Sequence, residues 1–115
     1  MANTFKTITK AGVTTVDVIY TVAGSTTTVV LGLMLGNTTG SAITATVTLG
    51  TDTANRAGAN NESNQDVELI TSTSIPANST LELLSGNKVV METTDTLSVT
   101  GSAATDVALS VMEIT

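Results

Sequence analysis

The chain has 115 residues, ten acids against four bases, a net charge of −6, one Phe, one Tyr, one Pro, and no Cys, His or Trp. That length suits a single domain with a modest core. Absence of Cys and His excludes thiolate zinc, iron–sulfur centres, disulfide-stapled folds and imidazole mechanisms. Four scattered cations (Lys6, Lys10, Arg56, Lys88) and two aromatics give neither a phosphate footprint nor a stacking platform, so no nucleic-acid partner is expected. No leader pattern opens the chain, and its longest mostly apolar stretch, residues 29–36, is too short to span a bilayer. No membrane partner is expected. With 25 Thr and 10 Ser, the chain is rich in β-branched and hydroxyl side chains that fit a pleated surface.

Period-2 alternation dominates. Residues 1–10 are read as an arm that carries Phe5 to a neighbour, or as a first strand over Thr4-Phe5-Lys6-Thr7-Ile8. Residues 14–22 place Val16, Val18, Tyr20 and Val22 on one face of a strand, followed by an Ala23-Gly24-Ser25 turn. Residues 26–36 form a strand apolar on both sides: Val29, Leu31, Leu33 and Leu35 on one, Thr28, Val30, Gly32 and Met34 on the other. Such a strand is central or meets a partner chain, and Gly32 inside it marks a bulge or a close approach. Asn37-Thr38-Thr39-Gly40-Ser41 is a turn cluster. Residues 43–49 alternate strictly, with Ile43, Ala45, Val47 and Leu49 inward.

Residues 50–64 contain no aliphatic side chain larger than Ala and predict a long polar loop, of the kind that contacts a partner or moves. Strands resume over residues 65–73. Ile75-Pro76-Ala77-Asn78-Ser79 is a turn, in which Asn78 tolerates a left-handed backbone. Short strands follow over residues 80–84, 88–92 and 96–100. A last one, with Val107, Leu109 and Val111 inward, is expected to be tied into a sheet. The count is about eight strands, nine if residues 4–8 pair. The prediction is an all-β, antiparallel β-sandwich in one domain, immunoglobulin-like or jelly-roll-like, with an aliphatic core.

Chemistry-bearing motifs are few. Asp66 with Glu68, and Glu92 with Asp95, are paired carboxylates, but a glycosidase cleft would also call for aromatic walls, so these read as solvated acids. Asp52, Asn55, Asn60, Asn61, Glu62 and Asp66 supply oxygens near the long loop without the calcium-loop pattern, so no metal and no cofactor is expected. Ser and Thr have no His to activate them. The sequons at Asn37, Asn61 and Asn78 read as coincidence in a Thr-rich chain. Val30 and Met34, with Met112 and Ile114, suggest a second apolar face. The expected interface comprises Phe5, Lys6, Val30, Met34, Arg56, Asn60 and Met112.

Four segments carry a resemblance: Val18-Ile19-Tyr20-Thr21-Val22; Val29-Val30-Leu31-Gly32-Leu33-Met34-Leu35-Gly36-Asn37-Thr38-Thr39-Gly40-Ser41; Ile75-Pro76-Ala77-Asn78-Ser79-Thr80-Leu81; and Val107-Ala108-Leu109-Ser110-Val111-Met112-Glu113-Ile114-Thr115. In this order they resemble a family of small virion structural proteins of tailed bacteriophages, especially marine phages and cyanophages. The resemblance covers most of the chain apart from residues 50–64 and transfers no catalytic residue. It implies a non-enzymatic particle component, made in the host cytoplasm and located in the virion. A capsid decoration (cement) protein on the major capsid protein comes first, as a homo-oligomer, trimeric or ring-forming. A neck or tail ring or fibre-attachment component is the alternative. A soluble carbohydrate-binding module is a more distant one, disfavoured by the lack of stacking rings.

Overall fold

Alternating Thr and aliphatic residues form nine strands: β1 (Asn3–Val13), β2 (Asp17–Thr21), β3 (Thr27–Gly36), β4 (Ile43–Gly50), β5 (Asp66–Ile75), β6 (Thr80–Leu83), β7 (Val89–Met91), β8 (Thr96–Gly101) and β9 (Thr105–Ile114). The structure, a computed structural model, describes residues 2–51, 66–84 and 86–115. Among the described residues there is no helix. Of the long polar segment only Gly50 and Thr51 are described; Arg56, Asn60, Asn61 and every oxygen-ligand candidate but Asp66 lie outside the described residues.

The first sheet runs β1-β9-β3-β6, with β7 also on β3, and the second runs β2-β8-β4-β5. All pairs are antiparallel. β7 and β6 lie in tandem along one edge of β3, on Thr28–Val30 and on Leu33–Gly36 respectively. Taken as one broken strand, they complete an order in which first pairs with last, second with next-to-last, and so inward. That is the jelly roll, the second of the two sandwiches the sequence left open.

The core lies between the sheets and is aliphatic. Leu33, Leu35, Val30 and Leu109 from the first sheet meet Val47, Ile75, Leu97 and Val99 from the second, all at 1% exposure or less. Each such side chain contributes about 1.5–3 kcal/mol by leaving water. Tyr20 is the one aromatic among them.

Extra residues on β3 and β2 shift the phase of those strands, as others do on β1 and β5. On β3, Val30 faces Val111 and Gly32 faces Ser110, which leaves Leu31 as an extra residue. The bulge marked by Gly32 is therefore present, and it turns Val30 into the core (0% exposed) while Met34 stays outside. Val30 is corrected from interface to core: simple alternation misplaces everything on one side of a bulge. On β2, Ile19 is extra between Val18 and Tyr20. Val16 and Val18, expected beside Tyr20, are 71% and 52% exposed, whereas Tyr20 and Val22 are buried. Ile75 also differs from expectation. It closes β5 as a fully buried residue and does not start the turn.

Asn37, buried after β3, ties two loops together. Its backbone N–H donates to the Ser79 carbonyl at 2.8 Å. Its Nδ2 donates to the carbonyls of Ser41 (2.8 Å), Ile75 (3.0 Å) and Pro76 (3.1 Å). Its Oδ1 accepts from the Thr39 N–H at 2.9 Å and the Thr39 hydroxyl at 2.7 Å. An amide so engaged offers no attachment point for a glycan in the folded protein. Asn78 adopts the left-handed backbone its turn suggested, at φ 58°. Gly101 is required by close approach: a Cβ there would overlap the Thr105 hydroxyl and press on the carbonyl oxygens of Ala103 and Val13.

Two substitutions test these positions. Gly101→Ala lowers stability by about 1–3 kcal/mol through overpacking. Asn37→Ala costs on the order of 3 kcal/mol, because buried carbonyls lose their donor. Exposed Thr7→Ala stays within about 0.5 kcal/mol. Urea midpoints at constant slope measure all three.

Candidate docking face

Residues paired across an antiparallel ladder point to the same side of the sheet. Phe5 is paired with Met112, Met112 with Val29, and Val29 with Val90. None of the four belongs to the buried core. They make an apolar row on the outer face of the first sheet, crossing β1, β9, β3 and β7. Neighbouring strands lie about 4.8 Å apart, so the row spans roughly 14 Å. Phe5 and Val90 are 71% and 52% exposed, while Met112 and Val29 are half-buried. Further along the same face Met34 pairs with Ala108, and Ala108 with Thr9. Here Thr9, Ala11, Met34, Gly36 and Ala108 line a shallow groove of about 360 Å³. Single exposed apolar side chains are ordinary; a row of them in register makes this face a candidate contact surface.

Of the residues expected at the interface, Phe5, Met34 and Met112 come together on this face. Val30 does not, and Arg56 and Asn60 lie outside the described residues. Val29 and Val90 were missed. Val29 had been placed on the opposite side by the same unbroken alternation. Nothing local marks Val90, whose place depends on pairing with β3.

Residues 3–10, in the segment read as an arm or a first strand, lie in β1, which pairs with β9 from Asn3↔Ile114 to Val13↔Thr105. Lys6 lies on the inner side of that strand, paired with Val111. Its ammonium is 2.7 Å from Glu113 Oε1. The Tyr20 hydroxyl donates to Glu113 Oε2 at 2.5 Å and lies 2.8 Å from Thr28 Oγ1. This cluster joins β1, β9 and β3 to β2 of the other sheet and closes one end of the sandwich. The Lys6 hydrogen bond, then that of Tyr20, holds the Glu113 carboxyl below the usual glutamate value of 4.5. Burial, then the carboxylate of Glu113, pushes the Tyr20 phenol up to about 12. Lys10 makes a second link between sheets, 3.3 Å from Asp17.

The outer face of the second sheet is mostly polar. Thr48, Thr96, Ser98, Thr100, Asp66 and Glu68, with the exposed Val16, line an open dish of about 640 Å³, and Val18, paired with Ser98, is also exposed on that side. Glu68 accepts a hydrogen bond from Thr71 at 2.6 Å. Among the described residues no group of three acids is placed to hold a metal ion.

No family model matches the chain, and no curated protein matches it. Among solved structures, one described as "Bacillus endospore appendages form a novel family of disulfide-linked pili" is 15% identical. It aligns over 99% of this chain and 87% of its own length, with a TM-score of 0.47. The present chain contains no cysteine.

The cluster at the sandwich end makes stability depend on pH at both extremes. Glu113 titrates lower when folded, so its contribution is complete above 4.5 and lost as pH falls through the folded value. Tyr20 titrates higher when folded, so its contribution is complete below 10 and lost as pH rises toward 12. Glu113→Gln removes part of the acid loss, and Tyr20→Phe removes part of the alkaline one. Lys6 is half-exposed, so the ion pair itself adds no more than about 1 kcal/mol. Urea midpoints of the three proteins across pH check both signs.

Proposed function

We propose that this protein is a structural component of a tailed-phage virion, a capsid decoration protein that docks on the assembled head. The observation that carries this reading is the in-register row Phe5–Met112–Val29–Val90 on the outer face of the first sheet. Jelly rolls serve in viral shells, lectins and cupins alike, so the fold does not choose among them. The row favours a protein partner: aromatic and Met side chains are enriched in the cores of protein interfaces. The resemblance of four ordered segments to small phage virion proteins supplies the setting.

The mechanism is thermodynamic. A protein that binds the assembled lattice and not loose subunits stabilises the lattice by linkage. The acidic balance of the chain and the Thr-lined face of the second sheet keep the outward side soluble. Phe5 and Met112 anchor the contact, and Met34 with the groove beside Ala108 extends it. Their docking partner is the major capsid protein.

The test counts this chain against the major capsid protein in purified particles by quantitative mass spectrometry. A ratio near one-to-one, or one per few capsid subunits, is expected. A handful of copies moves the protein to the neck or tail, and absence from washed particles discards the virion reading. Phe5→Ser and Met112→Ser are expected to lower head occupancy by about tenfold or more each, as for anchor residues at interface centres, with little change in melting temperature.

A further inference from the structure

The first strand is held in a way that lets it change hosts. Of the eleven residues of β1, only Val13 is buried and Ile8 half-buried. The rest of its attachment is the ladder to β9, the ion pairs Lys6–Glu113 and Lys10–Asp17, and the Gly12 N–H on Asp106 Oδ1 at 3.0 Å. Undocking β1 therefore uncovers little of the core, and such openings cost less than global unfolding. The link to β2 is only residues 14–16, and it crosses from one sheet to the other. Short hinges of this kind are where strand exchange arises. Gly12, just before it, sits in the left-handed region at φ 69° within a bulge, and Val16 inside it is 71% exposed.

Simple addition of a second copy along the open edge of β1 is guarded against. Lys6 and Lys10 sit on the inner side of the edge strand, and the Gly12 bulge bends it, both known means of blocking edge-to-edge pairing. Exchange meets no such obstacle, because it rebuilds the same contacts.

We infer that β1 of one copy pairs with β9 of a second copy, and reciprocally, about a two-fold axis. The occupant of the place beside β9 is thus the same segment of an identical chain. Each sandwich keeps its β1–β9 ladder and both ion pairs, and only residues 14–16 change course. Phe5 then arrives from the second copy, so the apolar row of each docking face is built by two chains.

The chain has no cysteine, so thiol chemistry can be placed at will. Thr7 and Ser110 are paired on the outer face. Thr7→Cys chains are mixed with Ser110→Cys chains, cycled through partial denaturation and treated with a short bis-maleimide. The control mixture pairs Thr7→Cys with Val67→Cys, on the exposed part of β5. Exchange gives at least about tenfold more heterodimer in the first mixture, because pairing raises the local concentration of the two thiols. Equal yields overturn the inference. The double variant Thr7→Cys/Ser110→Cys reports whether the substitutions permit folding, by linking within the chain or across the exchanged pair. A Gly-Gly-Ser insertion after Thr14 relaxes the hinge and is expected to lower the heterodimer yield about fivefold or more. An unchanged yield there also overturns the inference. Both readouts use purified protein alone, so their failure is separate from any result on particle copy number.

Discussion

The architecture depends on one extra residue in β3. Leu31 has no counterpart on β9, and the strand changes phase there. Before it, Thr28 and Val30 face the core; after it, Leu33 and Leu35 do. The opposite edge breaks at the same place, where β6 ends with Leu83 against Leu33 and β7 begins with Val89 against Val30. A single continuous strand in that position would present the wrong face to the core along half its length. The broken strand and the bulge are thus one accommodation. It also sets Val29 and Met34 on the same outer surface, although their spacing of five residues would otherwise put them on opposite sides.

A second constraint follows from a core with almost no aromatic rings. Aliphatic side chains fill the middle of the sandwich, but its end, between β1 and β2, is closed by polar groups. Tyr20 reaches there from the second sheet, and its hydroxyl meets Thr28 and Glu113 of the first. Lys6 completes the charge balance. Buried polar groups are tolerated when each has a partner, and among the described residues no buried side-chain N or O lacks one.

The strands were legible because Thr and Val alternate so regularly, and the aliphatic core was legible for the same reason. Gly32 announced the β3 bulge. Its effect on Val30 was not drawn, because alternation counted from either end gives opposite answers for a residue beside an extra one. Ile19 gave no sign of being extra, since an aliphatic residue fits either phase. The link between Tyr20 and Glu113 spans 93 positions, and local pattern carries no information about which strands meet across such a distance. Three of the interface candidates converge on one face because bulky apolar side chains at outward positions are a signal that survives without knowing the topology.

The composition of that face has a chemical consequence. Two of its apolar members, Met34 and Met112, are thioethers reachable from solvent, whereas Met91 is sealed in the core. Oxidation to the sulfoxide turns a flexible apolar side chain into a polar one. The outer sheet would then lose apolar character at its centre while the sandwich beneath stayed intact. Under oxidising conditions the outer face of the first sheet thus changes character before the fold beneath it does.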